Sequence, residues 1–188
     1  TTNEAQPSAE NLQHRLEFET LVSDLSSRFL NLAPGEVDRE IEDALRQISE
    51  PLGIDLAILW QWSDEAPGVI APTHAWCAIE GLRPSEPMRQ DQYPWAASQL
   101  LAGSPIRFSS PTDLPAEAAV DRETCAQFGI KSALGLPLVV GKEPPMGALG
   151  LNALRVGRDW PDRLVTRLQL IAQVFSNALA RKGHDLSL

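Results

Sequence analysis

Four aromatic residues and one histidine in the middle of the sequence have side chains that could bind a small molecule. In chain order they are His74, Trp76, Tyr93, Trp95 and Phe108. All five lie in a stretch, residues 64–115, that holds eight of the 15 prolines. Long regular elements cannot persist there, and loops often carry binding sites. Aromatic side chains in such loops could line a cavity for a planar ligand or could pin an irregular segment to the core.

His74 and the two cysteines have the widest chemical range of the remaining side chains. His74 lies on a predicted strand, where it could contact a ligand carboxylate, a hydroxyl or a haem iron, or simply hydrogen bond a loop carbonyl. Cys77 and Cys125 form no C-x-x-C pair, so neither a zinc site nor a multi-bridge disulfide scaffold is expected. Both are expected to pack as small free thiols, which fits a cytoplasmic location because thiols stay reduced there.

The sequence contains no motif for nucleophilic catalysis, nucleotide phosphates or zinc hydrolysis. It lacks G-x-x-x-x-G-K, G-x-G-x-x-G after a strand, G-x-S-x-G and H-E-x-x-H. The 16 basic and 25 acidic residues give a net charge of −9, which repels nucleic acid. The longest apolar stretch, residues 133–141, is too short to cross a membrane. We therefore expect a segment that is not itself an enzyme, with no metal site, no nucleic-acid partner and no membrane span.

The spacing of apolar residues predicts the elements that would position these side chains. Helices are expected over residues 12–32, 36–50, 95–102, 116–128 and 159–182, and strands over residues 54–63, 69–77, 106–109, 130–140 and 146–154. Pro72 puts the second strand at a sheet edge or a bulge. Trp60 and Trp62 share one face of the first strand and are expected in the core beneath a helix layer. The order indicates an α+β domain with an antiparallel sheet covered by helices.

The chain is expected to divide into three parts. Residues 1–11 are expected to be a disordered terminus or the cut edge of a longer chain, because they are small and polar up to Glu10. Residues 12–182 form one domain, and residues 183–188 form a tail that leads to a downstream domain. The chain starts at Thr1 without a signal-peptide pattern, as expected for a piece of a larger protein.

Three stretches of the sequence resemble a GAF domain of the type found in bacterial sensor histidine kinases. They are residues 128–138 (FGIKSALGLPL), residues 146–151 (MGALGL), and Trp160-Pro161 leading into residues 171–179 (IAQVFSNAL). Residues 73–76 (THAW) and 103–110 (GSPIRFSS) are also similar to the versions in those kinases. The resemblance implies an antiparallel GAF-like sheet, with the N- and C-terminal helices packed on one side and a loop-rich ligand pocket on the other.

The resemblance also implies a function. GAF domains are small-molecule-sensing and dimerisation modules, so we expect a non-catalytic regulatory module of a bacterial two-component signalling protein, with a kinase or effector domain downstream in the same chain. Because the pocket of GAF domains lies above the sheet, the resemblance makes the histidine and the four aromatic residues of the proline-rich stretch candidate ligand-binding residues. They are His74, Trp76, Tyr93, Trp95 and Phe108. The ligand and any cofactor remain unknown. The cyclic-nucleotide signature of the family is missing, and neither cysteine precedes the histidine common at covalent bilin sites.

Two alternative functions stay open at this point. One is a small redox enzyme resembling the free methionine sulfoxide reductases of the GAF fold, with Cys125 as the residue to test. Those enzymes use several cysteines, and this chain has two. The other is a structural dimerisation spacer without a ligand.

The terminal helices each carry an apolar seam with alternating steps of three and four residues, which is coiled-coil-like. The expected interface residues are Phe18, Val22, Leu25 and Phe29 in the first helix and Leu168, Ile171 and Phe175 in the last. Because the two helices lie together in GAF domains, two copies could form a four-helix bundle, and a ligand could shift the last helix, which leaves the domain near Lys182. Alternatively, each stripe only covers its own sheet.

Overall fold

The computed structural model describes residues 8–82 and 86–187. Two helices, α1 (Ala9–Phe29) and α2 (Val37–Leu52), precede the antiparallel hairpin of β1 (Leu56–Trp62) and β2 (Val69–Cys77). The irregular middle contains the short strand β3 (Met88–Arg89), helix α3 (Pro94–Leu101) and strand β4 (Ile106–Phe108). Helix α4 (Ala119–Phe128), the hairpin of β5 (Ser132–Leu138) and β6 (Gly147–Ala153), and helix α5 (Asp162–Ser187) complete the chain.

The strands form one six-stranded sheet in the order β3-β2-β1-β6-β5-β4, and every neighbouring pair is antiparallel. The β1–β6 pair at its centre joins the two hairpins, with Leu59 opposite Leu149. The predicted α+β fold with an antiparallel sheet is therefore confirmed, and so is the predicted order of helices and hairpins.

The hydrophobic core lies on one face of the sheet, which we call the terminal-helix face. Helices α2 and α5 pack on this face, and α1 packs against both of them. Leu59 of β1, Leu136 of β5 and Leu149 of β6 are fully buried there. Phe29 of α1 and Phe175 of α5 meet with their ring centroids 5.6 Å apart. Burial of these apolar side chains is the main stabilising contribution to the fold.

The opposite face, which we call the cavity face, is covered by α3, α4 and the loops next to them. Trp60 and Trp62 lie on this face, where Trp62 stacks on Tyr93. The expectation that the two tryptophans share a face beneath helices is correct, but both are partly buried instead of fully buried in the core. Because neighbouring residues of a strand point to opposite faces, Ala57 and Leu59 fill the terminal-helix face instead.

A bulge interrupts β2 beside Pro72. Leu59 pairs with His74, but the next residue, Trp60, pairs with Pro72, so Thr73 is an extra residue. An extra residue in a strand reverses which side chains point to which face. Ile70, before the bulge, lies on the cavity face, whereas His74 and Trp76, after it, lie on the terminal-helix face. Pro72 donates no ladder hydrogen bond, which suits the irregularity.

The helix ends differ from the predicted division of the chain. Ser8 caps α1 by accepting a hydrogen bond from the amide of Asn11 at 3.2 Å, so residues 9–11 are helical instead of disordered; residues 1–7 lie outside the described residues. Residues 183–187 continue α5 and do not form a separate tail. Helix α2 runs two residues past its predicted end at residue 50 and ends at Leu52. It is capped by Gly53, whose positive φ of 66° suits a residue without a side chain.

Candidate functional site

A cavity of about 180 Å³ lies on the cavity face of the sheet, beneath α3 and α4 and beside the edge strand β4. Its floor includes Gly135 and Gly150, which pair directly across β5 and β6. Ala133 and Ala148 lie beside them on the same two strands. A Cβ at Gly150 would lie 3.3 Å from Nε1 of Trp60, and one at Gly135 would lie 3.6 Å from Cβ of Ile106, so the two glycines let these side chains pack close to the sheet.

The structure brings three of the five predicted ligand-binding residues together. Tyr93, Trp95 and Phe108 all line the cavity. His74 and Trp76 do not line it, because the bulge at Thr73 turns them to the terminal-helix face. Trp76 packs against the main core there. Three of the five side chains therefore share one cavity and the two on β2 do not, while ligand binding by the three stays a prediction.

Helix α3 is held over the cavity by α4. Asp121 of α4 accepts hydrogen bonds from the backbone amides of Trp95 at 3.0 Å and Ala96 at 2.8 Å. Its side chain thus caps the N-terminus of α3, where a negative charge also interacts favourably with the helix dipole. One turn later, the hydroxyl of Thr124 donates to the carbonyl of Gln92. The aromatic wall formed by Tyr93 and Trp95 is therefore fixed to a second helix.

Tyr93 carries an unusual polar group. The residue is 7% exposed, its ring stacks on Trp62 with centroids 6.3 Å apart, and its buried hydroxyl has no hydrogen-bond partner among the described residues. Burial raises the pKa of this phenol, which keeps it neutral and able to donate. A buried hydroxyl without a hydrogen-bond partner lowers the stability of the folded state.

The two cysteines are in different surroundings, and both are free thiols. Cys125 lines the cavity, and its burial, together with the charge of Asp121, raises its pKa to about 11. A thiol with this pKa is a poor nucleophile at neutral pH. Cys77 ends β2 outside the cavity, and its Sγ lies 3.4 Å from the backbone nitrogen of Ile79. The structure does not join the two thiols in one site.

Sequence reasoning missed several residues that form the cavity. Trp60 and Asn152 belong to its floor, and Asp121 and Thr124 to its far wall. Asp121, Thr124 and Cys125 follow a spacing of three and four residues, which places them on one side of a helix. That spacing was a usable signal. The position of Trp60 required knowledge of which face the terminal helices cover.

His74 serves a different group of contacts on the terminal-helix face. It is 5% exposed, and its Nε2 donates to Oδ1 of Asp38 on α2 at 2.8 Å. Lys182 of α5 donates to the other oxygen of Asp38 at 2.6 Å. The hydrogen bonds from Lys182 and His74 lower the pKa of the Asp38 carboxyl. Asp38 therefore links the bulged strand to the closing helix.

The predicted interface residues lie inside the protomer. Val22, Leu25, Phe29, Leu168, Ile171 and Phe175 are buried in the main core, and Phe18 packs against it partly buried. The two seams cover each other, α2 and the sheet, so the six buried side chains offer almost no surface to a second copy, and Phe18 offers part of its side chain. The homodimer stays a prediction, and its interface would have to use other side chains. The most exposed leucine of α1 is Leu16, at 68%.

The described residues contain neither a metal cluster nor a membrane span. Within residues 8–82 and 86–187, no group of three or more His, Cys, Asp or Glu side chains could hold a metal ion. No helix in that part of the chain has the length and apolar character needed to cross a bilayer.

Comparisons with known proteins agree with this architecture. The chain resembles the phycocyanobilin-bound GAF domain of a cyanobacterial phytochrome, with 15% identity, 89% of this chain and 96% of that chain covered, and a TM-score of 0.71. It also resembles a GAF domain from Pseudomonas syringae pv. tomato described as that of a sensor histidine kinase, with 16% identity, 95% and 97% covered, and a TM-score of 0.62. Residues 122 to 287 of a methyl-accepting chemotaxis protein match with 17% identity, 87% and 99% covered, and a TM-score of 0.70.

These identities are too low to carry a ligand or an activity from one protein to another. A search of curated proteins finds no significant match. The family model for the GAF domain, however, matches residues 36–179, a range that runs from the start of α2 through most of α5 and includes the whole sheet and the cavity. The chain belongs to the GAF domain family.

Proposed function

We propose that this domain is a non-catalytic regulatory module that binds a small molecule in the cavity and passes the binding state to α5. The observation that carries the proposal is the cavity itself, whose lining is mostly apolar and includes the aromatic residues Tyr93, Trp95 and Phe108. Cavities of this kind, apolar with a few polar groups, are the usual binding sites for small ligands. Membership of a sensory family supports the same conclusion.

The central strands connect the cavity to the terminal helices. Trp60 lines the cavity while the adjacent Leu59 belongs to the main core, and on β6 the same is true of Gly150 and Leu149. A ligand that moves β1 or β6 by a small amount would therefore change the surface on which α5 packs. Closely packed interfaces respond to such shifts by moving between discrete arrangements.

We also propose the wider context of the module. The host is a bacterial signalling protein, with a sensor histidine kinase of a two-component system as the leading candidate and a downstream kinase or effector domain following α5. Two free thiols fit a cytoplasmic location. The domain acts as a homodimer through its terminal helices, with exposed leucines such as Leu16 on α1 and Leu170 on α5 in place of the buried seams.

A redox enzyme is the second candidate, because Cys125 lines the cavity. Two observations weigh against it: the raised pKa of Cys125 and the position of Cys77 outside the cavity. Assaying NADPH-coupled reduction of free methionine sulfoxide separates the candidates. Turnover that disappears in Cys125→Ser would replace the sensing proposal.

Native mass spectrometry of the freshly purified domain tests the sensing proposal directly. We expect a retained small molecule, or binding of one on screening, which is lost in Ala148→Leu because the larger side chain fills the cavity. Ala119→Leu makes the same change at an exposed position of α4 and should leave binding intact. A well-folded domain that binds nothing would favour the ligand-free dimerisation spacer.

A further inference from the structure

We propose that His74 is a proton sensor built into the fold, whose protonation completes a chain of hydrogen bonds from β1 to α5 and whose deprotonation breaks that chain. His74 lies on the terminal-helix face, outside the cavity, so this role is additional to ligand binding and does not depend on it. Three features carry the proposal: the number of protons that the hydrogen bonds need, the charges around the ring, and the attachment of the chain to α5.

The hydroxyl of Thr73 begins the chain. It lies 2.8 Å from Nδ1 of His74, 2.8 Å from Oε1 of Gln61 and 3.2 Å from the carbonyl oxygen of Leu59. A threonine hydroxyl has a single proton to donate. When that proton goes to Gln61 or Leu59 on β1, the contact with Nδ1 is a hydrogen bond only if Nδ1 carries a proton of its own.

The other ring nitrogen also needs a proton. Nε2 of His74 lies 2.8 Å from Oδ1 of Asp38. Lys182 donates to the other oxygen of this carboxyl and lowers its pKa, so at neutral pH it is an ionised group that only accepts. A ring with a proton on both nitrogens is the imidazolium, and this charged form makes all of the bonds at once. The neutral ring must give up either the bond to Asp38 or the bond from Thr73 to β1.

The charges around the His74 ring favour its protonated form. The groups linked to it by hydrogen bonds, or lining the same cleft between α2 and β2, include three carboxylates, one ammonium group and one thiol. They are Asp38, Glu42, Glu80, Lys182 and Cys77. Strand β1 contributes no charged side chain within Leu56–Trp62. The excess of negative charge compensates part of the cost of charging a buried side chain.

The chain ends on α5 because Asp38 is held at one oxygen by His74 and at the other by Lys182. The side chain of Asp38 is 55% exposed, so without the His74 bond its carboxylate can turn toward water and leave Lys182 without a fixed partner. The adjacent Arg181 holds the same part of α5 by different bonds, to two backbone carbonyls at the C-terminal end of α1. Protonation of His74 should therefore tighten the last turns of α5 through Lys182 and leave the Arg181 bonds unchanged.

Hydrogen exchange of the α5 amides between about pH 5.5 and 7.5, together with NMR titration of the histidine rings, tests the proposal. Ordinary carboxyl groups and thiols titrate outside this range, so histidine is the side chain that changes charge. Each exchange rate is divided by that of an unstructured peptide at the same pH. In the wild type we expect the His74 ring to lose its proton as the pH rises. Protection of the amides around Lys182 should fall with it by about 2- to 10-fold, the range of one net hydrogen bond.

Three variants locate the sensor. In His74→Gln the protection of α5 should no longer depend on pH, because an amide side chain can donate to Asp38 but does not titrate. Asp38→Asn should also remove the pH dependence, and its exposed position keeps the proposal testable if His74→Gln does not fold. Arg181→Gln is the matched control on the same helix. It should lower the protection at every pH and leave the pH dependence intact.

A His74 ring that stays neutral, or stays protonated, over the whole range would overturn the proposal. A pH dependence that persists in His74→Gln or Asp38→Asn would overturn it as well, and so would one that disappears in Arg181→Gln. Thr73→Val tests the link to β1. Because this variant removes the acceptor of the Nδ1 proton, the His74 ring should lose its proton at a lower pH than in the wild type. An unchanged titration would contradict the chain from β1.

Discussion

Asp121 on α4 accepts a hydrogen bond at 3.0 Å from the backbone amide of Trp95 in the first turn of α3. A helix cap that comes from another helix ties two elements together, and here it fixes one wall of the cavity. Helix α3 belongs to the irregular middle of the chain and α4 follows it, so this cap holds together a part of the fold that has few long-range strand contacts.

Replacing Asp121 by alanine should loosen this wall. Two amides at the start of α3 lose their acceptor, so the free energy of unfolding should fall by about 1–3 kcal/mol. Urea unfolding measures the change, and the affinity for any molecule retained in the cavity should fall with it. Glu123→Ala removes an exposed acidic residue from the same helix and serves as the control. Equal stability of the two variants would contradict the capping role.

Asp55 makes the free energy of unfolding depend on pH in the acidic range. Burial alone would raise the pKa of its carboxyl, but the backbone amides of Arg155 and Leu154 and the Arg155 side chain outweigh burial and lower that pKa. Because the folded-state pKa lies below the unfolded value of about 3.9, the contribution of Asp55 is fully present above that value. It is lost as pH falls through the folded-state pKa.

Asp55→Asn should therefore be less stable than the wild type at pH 6, by about 2 kcal/mol for these charge-assisted bonds. The difference should shrink as the pH falls below about 4. Chemical denaturation at several pH values measures it, with the exposed Asp64→Asn as the control. A difference that stays constant with pH would show that the charge of Asp55 is not what stabilises the fold.

Two substitutions distinguish an effect on the protomer core from an effect on dimer formation. Phe175 is fully buried within the protomer, so Phe175→Glu should unfold the domain, whatever its oligomeric state, by burying an unpaired charge. Leu16 is 68% exposed on α1, so Leu16→Glu should leave the fold intact and weaken any dimer formed by the terminal helices.

Sedimentation of the wild type, Leu16→Glu and Leu82→Glu at tens of micromolar, roughly where a moderate interface associates, measures the oligomeric state. Leu82 is an exposed leucine outside the terminal helices, and its variant should behave as the wild type. A monomeric wild type would refute the dimer.

Cys125 should react slowly with thiol reagents. At pH 8 a pKa of about 11 leaves about one thiol in a thousand ionised, roughly two orders of magnitude fewer than for an ordinary cysteine with a pKa near 8.5. A Cys77→Ser variant isolates Cys125, and the rate is compared with that of a free thiol in the same buffer. Reaction as fast as the free thiol would instead favour the redox enzyme.

The elements of this fold were largely predictable, because their signals are local. The period of the apolar residues locates α2 and β2 to within about two residues of the observed ends, since one stripe or one strand face must be buried. The glycine of the β6 motif, in contrast, has a long-range cause. A Cβ at Gly147 would lie 1.8 Å from the carbonyl oxygen of Trp60, so β6 approaches β1 only without a side chain there.

The candidate site was predictable only in part. Tyr93, Trp95 and Phe108 were found from composition, because apolar rings in a proline-rich stretch have few other places to be buried. His74 was misplaced, because Pro72 predicted a bulge or a sheet edge without showing that the residues after it would change faces. The apolar seams were assigned to a dimer interface for a different reason. A helix that covers its own protomer and a helix in a coiled coil bury the same kind of apolar stripe, so the sequence does not distinguish them.

The extra residue at Thr73 has a consequence for comparing sequences. In a GAF domain whose second strand is regular, positions that are an even number of residues apart all face one side, whereas here Ile70 and His74 face opposite sides. A correct alignment with such a relative must therefore open a one-residue gap at Thr73. Without that gap, every ligand-contacting position after the bulge would be matched to a core position, and the substitution pattern of one would be mistaken for that of the other.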